Sequence, residues 1–228
     1  STLEAAIEFD LKLESYIDEI NSLNTTIDIV LATKYADLNH IAEISNANDQ
    51  IIFGENRVQS GEKKQIAFPE IKNPWHFIGH LQRNKVKKVI GNYNLIHSVD
   101  SIRLMDEINK QSFASDKTSN ILLQINPLEE SSKSGFNETN IFTAMEHSES
   151  LANINIKGLM VMAPLSNDPA PIENTFKKSR QIYDKIKSTN QNLEHLSMGM
   201  SNDYKIAINE GSTMIRIGSI IFKDVNNR

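Results

Sequence analysis

Lys34 is the residue with the clearest chemical potential in this sequence, because of what precedes and follows it. Residues 29–32 read Ile-Val-Leu-Ala, and residues 35–40 read Tyr-Ala-Asp-Leu-Asn-His and open a predicted helix. The pattern predicts a buried strand that ends at Lys34 and places its amine at the carboxyl edge of a parallel sheet, where such folds keep their sites. An amine partly desolvated by apolar walls loses proton affinity and forms imines with aldehydes. The competing interpretation is an ordinary surface lysine at a strand end.

Two short segments near the C-terminus have the composition of an anion site. Residues 198–203 read Met-Gly-Met-Ser-Asn-Asp and open a predicted helix, and residues 216–219 read Arg-Ile-Gly-Ser. Glycines allow close backbone approach, and the hydroxyls of Ser201 and Ser219 can donate to a phosphate at the positive end of a helix. Taken singly, Ser201 is more simply a helix cap and Gly218 a turn residue. Their joint occurrence favours a phosphate site.

Short apolar runs alternate with helical patterns along the whole chain. Continuous apolar runs are typical of parallel strands that are buried on both faces. Eight such runs predict an α/β fold, a single (β/α)8 barrel domain over residues 1–228, in which the loops after the last two strands commonly bind phosphate. An open doubly wound sheet is the alternative, but no GxGxxG or Walker-type loop follows the first run. The predicted strands are 28–34, 51–54, 75–79, 95–99, 121–126, 158–162, 196–199 and 214–218.

Helices are predicted from apolar residues at helical spacing. An extra N-terminal helix precedes the barrel and is predicted to be amphipathic on the spacing of Leu3, Ile7, Leu11, Tyr16, Ile17 and Ile20. The helices between the strands are predicted at 38–47, 58–67, 84–90, 101–112, 139–152, 172–188 and 203–209.

Composition narrows the class of protein. The chain has 228 residues, of which 39% are hydrophobic and 23% charged, as in a soluble globular domain. It has no cysteine, which excludes disulfides and thiolate chemistry. A net charge of −5 disfavours a nucleic-acid partner, and the basic cluster at residues 83–88 is better explained as a solvated helix face. No leader-like or membrane-spanning segment is evident, so we expect a cytoplasmic protein without membrane association.

The ordered motifs of the chain resemble one known family. The sequence contains, in order, ATKY, FGENRVQ, WHFIGHLQRNK, IHSVDS, SSKSGF, GLMVMAP and LSMGMSNDYKIAINEGSTMIRIGSIIF. These motifs are similar to those of the pyridoxal phosphate homeostasis protein family over nearly the whole chain. The resemblance implies a fold-type III barrel, like the N-terminal domain of alanine racemase, with pyridoxal 5′-phosphate as cofactor. It also implies that Lys34 forms the Schiff base, that Ser201, Gly218 and Ser219 hold the phosphate, and that Arg216 faces the pyridine nitrogen.

Three polar residues elsewhere lie where the predicted loops meet the barrel mouth. Asn56 ends the second strand and is predicted to hydrogen-bond the cofactor or an ordered water, with a turn asparagine as the alternative. Glu55 is assigned no catalytic role and is predicted to anchor Arg57 or a nearby barrel charge. Lys133, in the loop after the fifth strand, is a candidate to receive or hand on the aldehyde, with an exposed loop lysine as the alternative.

Histidines on the third and fourth predicted strands raise the question of a metal site. His76 and His80 flank one strand and His97 lies on the next. Residues four apart on a strand lie about 13 Å apart, too far to bind one ion as residues four apart on a helix can, and no neighbouring carboxylate completes a known ligand spacing. No metal is therefore predicted, and His80 is interpreted as pocket lining or a turn residue.

The resemblance implies intracellular cofactor homeostasis, by buffering or delivery, without efficient catalysis. A permanently charged guanidinium on Arg216 discourages protonation of the pyridine nitrogen and makes the cofactor a poor electron sink. Alanine racemase adds a second domain with a tyrosine base that has no evident counterpart here, so a non-enzyme is expected. The expected partners are the cofactor and apo forms of enzymes that use it, and the expected state is a monomer. The alternatives are a weak racemase, a Schiff-base lysine aldolase, or a barrel that serves only as an interaction scaffold.

One local departure from the family pattern lies near the C-terminus. Lys223 stands where glycine is frequent in the family, and the tail after it is short and polar. The conformation of the last turn is therefore left open by the resemblance.

Overall fold

The barrel predicted from the alternating pattern is confirmed. The computed structural model describes residues 2–222, and within them eight parallel strands pair in chain order and close by pairing of the first strand with the last. The segment with Lys223 lies outside the described residues. The strands are β1 Asp28–Ala32, β2 Ile52–Glu55, β3 Trp75–Phe77, β4 Leu95–Val99, β5 Ser119–Gln124, β6 Ile154–Val161, β7 His195–Met198 and β8 Met214–Ile217.

Helices follow the strands on the outside of the barrel, and the extra N-terminal helix is present. A 3₁₀ turn, Arg83–Lys85, leads into the fourth helix. The helices are α1 Thr2–Leu23, α2 Leu38–Ala47, α3 Val58–Ala67, α4 Val86–Val89, α5 Ile102–Ala114, α6 Asn140–Ser148, α7 Pro169–Lys187, α8 Tyr204–Asn209 and α9 Ser219–Phe222. No helix within residues 2–222 combines the length and the apolar composition that crossing a membrane requires.

Several helices begin where a side chain satisfies the free N–H groups of their first turn. The Asp37 carboxylate accepts from the backbone N–H of His40, and Ser101 Oγ accepts from that of Leu104 at 3.1 Å. The Asp168 carboxylate accepts from Ala170 N at 3.0 Å ahead of Pro169, which suits the first helical position because it lacks an N–H.

The barrel interior is filled by one layer of apolar side chains and a separate set of polar ones. Six strands each contribute one buried apolar residue to a single cluster. The other two strands, β3 and β7, place the buried polar residues His76 and Ser197 inside instead. The apolar cluster consists of Val30, Ile52, Leu95, Leu122, Met160 and Met214.

The apolar face predicted for α1 was partly wrong. Leu3, Ile7 and Leu11 are 70%, 51% and 61% exposed. The face that packs against the barrel instead carries Phe9 and Leu13, and Phe9 stacks on Phe222 at a centroid distance of 5.5 Å. Both stripes have helical spacing, so periodicity alone could not choose between them.

Several predicted boundaries differ from the observed ones, most clearly those of β6 and of the helix before β4. Gly158 is the predicted first residue of the sixth strand, but β6 begins four residues earlier, at Ile154. A register shift against β5 marks a bulge beside Gly158. Gly158 has φ +157°, and a Cβ there would lie 1.8 Å from the carbonyl oxygen of His195, so glycine is required within the strand rather than before it. The predicted helix 84–90 is a 3₁₀ turn followed by the single turn of α4.

Candidate functional site

All six residues predicted to hold the cofactor line one cavity at the carboxyl end of the barrel. The cavity has a volume of about 270 Å³. Apolar side chains, including Ile78, Met162 and Met200, complete its walls. The predicted residues in the wall are Lys34, Asn56, Ser201, Arg216, Gly218 and Ser219. The structure therefore brings together residues that are up to 185 positions apart in the chain, as Lys34 and Ser219 are.

We expected Lys34 at the end of the first strand. It lies instead in the turn that follows the strand. Strand β1 ends at Ala32, Thr33 is fully buried, and Lys34 is exposed. Its Nζ lies 5.4 Å from the centroid of the Tyr35 ring. The prediction that apolar walls bury this side chain was wrong, because residue 34 already lies in an exposed turn. The amine is accessible from solvent and from the cavity.

A buried ion pair fixes the turn that carries Lys34, and sequence reasoning missed it. Lys64 Nζ lies 2.6 Å from Glu55 Oε1 and donates to the carbonyl oxygen of Thr33 at 2.7 Å. The Thr33 hydroxyl donates to the same carboxylate at 2.5 Å. Glu55 is 1% and Lys64 7% exposed. The partner of Glu55 is thus a lysine of α3 rather than Arg57, and the pair ties the end of β2 to the backbone beside Lys34.

The loops after β7 and β8 meet at Ser201, as the anion-site prediction required. Ser201 Oγ accepts from the backbone N–H groups of Gly218 at 3.3 Å and of Ile220 at 3.4 Å. A Cβ at position 218 would lie 2.9 Å from both the Cβ and the carbonyl oxygen of Ala32, so only glycine fits without displacing β1. Two backbone donors and the hydroxyls of Ser201 and Ser219 therefore gather at one edge of the cavity.

Arg216 lies inside the barrel and is only 4% exposed. Its Nη1 donates to Ser197 Oγ at 2.5 Å and its Nη2 to the carbonyl oxygen of Val161 at 3.2 Å. Burial lowers the pKa of the guanidinium to about 10, while the charge of Asp203 acts in the opposite direction. No carboxylate among the described residues forms an ion pair with it.

A chain of buried polar groups extends from Arg216 across the barrel, and the sequence analysis did not identify it. Ser197 Oγ lies 3.0 Å from His97 Nδ1, and His97 Nε2 lies 2.8 Å from His76 Nδ1. Burial lowers the pKa of His76 to about 3 and that of His97 well below its ordinary value. Both imidazoles are therefore neutral at pH 7. Polar residues within otherwise apolar strands were the signal that could have revealed this chain.

The histidines do not form a metal site in the part of the chain that the structure describes. No group of three or more His, Asp or Glu side chains there could hold a metal ion. His76 and His97 bond to each other, whereas His80 lines a neighbouring cavity.

Two further predicted residues lie at the cavity rim. Asn56 Oδ1 is buried and accepts no hydrogen bond from any described residue. Lys133 Nζ donates to the carbonyl oxygen of Met162 at 2.9 Å, and Met162 is part of the cavity wall. Lys133 thus lies over the mouth, as expected, with Glu130 Oε2 at 3.4 Å from its amine.

Known proteins share this architecture and much of this sequence. The family model of the alanine racemase N-terminal domain matches residues 27–225. A protein of Aquifex aeolicus named pyridoxal phosphate homeostasis protein is 40% identical over 172 residues, which are 75% of each chain. A protein of the same name from Haemophilus influenzae is 35% identical over 92% of this chain and 90% of its own.

Solved structures agree with these matches. PipY of Synechococcus elongatus, solved with pyridoxal phosphate bound, has a TM-score of 0.80 at 29% identity and covers 90% of this chain and 99% of its own. Alanine racemase of Clostridium difficile has a TM-score of 0.76 at 14% identity and is matched over 55% of its length, which supports the fold alone. The chain therefore belongs to the pyridoxal phosphate homeostasis protein family, whose barrel is that of the alanine racemase N-terminal domain.

Proposed function

We propose that the protein binds pyridoxal 5′-phosphate in the barrel cavity, as a Schiff base on Lys34, and serves intracellular homeostasis of this cofactor. The observation that carries the proposal is the convergence of three groups in one cavity. An accessible amine, a cluster of phosphate donors and a buried guanidinium without a carboxylate partner line the same walls. They match, in order, the aldehyde, the phosphate and the ring nitrogen of the cofactor.

The phosphate end of the site is supported by the contacts between the loops after β7 and β8. The N–H groups of Gly218 and Ile220 are directed to Ser201 Oγ at distances that are long for hydrogen bonds. An anion oxygen would accept from the same donors more strongly, because charge-assisted hydrogen bonds are shorter and stronger. Gly218 leaves the space for this approach.

The ring end of the site supports binding rather than turnover. Bound pyridoxal phosphate supplies an electrophilic aldehyde and, when its ring nitrogen is protonated, an electron sink. Arg216 can only donate to that nitrogen, since its guanidinium carries no acceptor. Ser197, His97 and His76 hold the guanidinium in place, and the lowered pKa values of the two histidines keep them from supplying a proton.

The role follows from this combination. An accessible Lys34 favours exchange of the aldehyde with other amines, and the unprotonated ring disfavours carbanion chemistry. We therefore propose buffering or delivery of the cofactor in the cytoplasm, with apo enzymes as recipients, by a monomer without efficient catalysis. Asn56 also lines the cavity, and in this proposal its side-chain amide donates to the cofactor or to an ordered water.

Absorbance titration tests the proposal. Addition of pyridoxal phosphate to the protein is expected to give a saturable imine band that Lys34→Ala abolishes. Lys87→Ala, which removes an exposed lysine of α4, is the matched control and is expected to keep the band. An equal band in Lys34→Ala would contradict the proposal.

A second assay tests the absence of efficient turnover. The loaded protein is incubated with L-alanine, and the appearance of D-alanine is followed against free pyridoxal phosphate at the same concentration. We expect no acceleration beyond about 10-fold, whereas positioned acid and base groups contribute about 100-fold or more each. A larger acceleration that depends on Lys34 would support the weak-racemase alternative instead.

A further inference from the structure

A second cavity lies beside the cofactor cavity and shares Asn56 with it. Its volume is about 320 Å³. The connection from β2 to α3 forms one wall and the connection after β3 forms the other. The lining consists of Asn56, Arg57, Val58, Gln59, Phe77, His80, Leu81, Gln82 and Lys85.

The charged side chains that line this second cavity are all positive. Arg57 and Lys85 contribute two positive charges, and none of the lining residues is acidic. Across residues 2–222, the side chains of Arg57 and Lys85 form neither an ion pair nor a hydrogen bond, although carboxylates outnumber cations in the chain by 29 to 24. Other cations do have acidic partners, such as Lys178 with Glu138 at 2.8 Å. Two uncompensated cations facing one space form a site for an anion.

The remaining surfaces of the second cavity specify more than an anion. The buried Asn56 Oδ1 lacks a donor, and an unsatisfied buried acceptor costs free energy until a donor reaches it. The apolar side chains of Val58, Phe77 and Leu81 also line the cavity. A ligand that satisfies all three features carries a carboxylate, an N–H donor and an apolar group. These are the three substituents of an α-amino acid.

We propose that the second cavity binds a free α-amino acid. Its carboxylate binds Arg57 and Lys85, its ammonium group donates to Asn56 Oδ1, and its side chain lies on Phe77 and Leu81. The inference deepens the proposed function, on which its biological meaning rests, because the amine is held at the wall shared with the cofactor cavity. The amine held beside the cofactor would thus be that of an α-amino acid.

Calorimetric titration of the cofactor-free protein with L-leucine tests the inference without involving the cofactor. L-Leucine is expected to bind more tightly than 4-methylpentanoate, which lacks the amine, and than 3-methylbutylamine, which lacks the carboxylate. Arg57→Gln and Lys85→Gln are each expected to weaken L-leucine binding by about 10-fold, since hydrogen bonds to charged groups contribute on the order of 1.5–3 kcal/mol. Lys88→Gln, an exposed lysine of α4 outside the cavity, is expected to leave it unchanged.

Three results would overturn the inference: no heat of binding with L-leucine, equal binding of 4-methylpentanoate, or equal weakening by Lys88→Gln. Lys34→Ala separates this question from the proposed function. The variant is expected to lose the imine band and to bind L-leucine as the unmodified protein does. If Lys34→Ala loses the imine band but still binds L-leucine, the second site is supported. If the unmodified protein gives the imine band but does not bind L-leucine, only the second site is rejected.

Discussion

Replacing Lys64 by methionine removes one member of the buried ion pair beside Lys34. The ammonium group bonds Glu55 Oε1, the carbonyl oxygen of Thr33 and Ser60 Oγ at 2.6, 2.7 and 3.2 Å. Methionine fills similar space but leaves the Glu55 carboxylate, 1% exposed, without its counter-ion. Breaking a buried pair from one side costs about 3–5 kcal/mol of unfolding free energy. For a chain of this size, that corresponds to a fall in Tm of about 6–20 °C.

The same change is expected to weaken cofactor binding, because Lys64 holds the peptide that precedes Lys34. Thermal unfolding followed by circular dichroism measures the first effect, and absorbance titration with pyridoxal phosphate measures the second. Lys178→Met, which breaks the more exposed pair with Glu138, is the control and is expected to cost less than about 1 kcal/mol.

The double variant Glu55→Gln/Lys64→Met tests whether the buried charge is the cause. It removes the uncompensated carboxylate, while the side-chain amide that replaces it can still accept from the Thr33 hydroxyl. The double variant is therefore expected to recover more than half of the lost Tm. The reasoning is refuted by a Lys64→Met variant within about 1 kcal/mol of the unmodified protein, or by a double variant no more stable than the single one.

Three further outcomes are expected. Gly218→Ala adds a Cβ 2.9 Å from Ala32 and is expected to raise the dissociation constant for pyridoxal phosphate by about 10-fold or more; an unchanged titration would contradict the steric argument. Ser201→Ala is expected to weaken binding of pyridoxal phosphate but not of pyridoxal, which lacks the phosphate, in the same titration. The pKa of His76 is about 3 in the folded protein and 6.5 in the unfolded chain, so only the unfolded chain binds this proton as the pH falls from 7 to 5. About 2 kcal/mol of the free energy of unfolding is expected to be lost over that range. Urea unfolding at the two pH values should show a smaller loss for His76→Gln.

The fold was predictable because it depends on local patterns of apolar residues in the sequence. Eight apolar runs mark eight strands, and their carboxyl ends meet at one mouth whatever the exact boundaries are. This geometry is why Lys34, Ser201 and Ser219 could be placed together from the sequence. Their roles toward the cofactor remain predictions.

The polar contacts inside the barrel were not predictable from local sequence. The pairing of Glu55 with Lys64 depends on the rotation of α3 against β2, and the contact between His97 and Ser197 joins residues 100 positions apart. Neither the rotation nor the cross-barrel register is encoded in a short segment. The exposure of Lys34 was missed because β1 ends at Ala32, two residues before the predicted end of the strand.

The central claim is that Lys34 carries the cofactor, and borohydride reduction followed by peptide mass mapping tests it most directly. The protein is saturated with pyridoxal phosphate, reduced, digested and mapped over all of its lysines. The account predicts one dominant phosphopyridoxyl adduct on the peptide containing Lys34. Adducts spread over exposed lysines, or concentrated on Lys133 in place of Lys34, would contradict it.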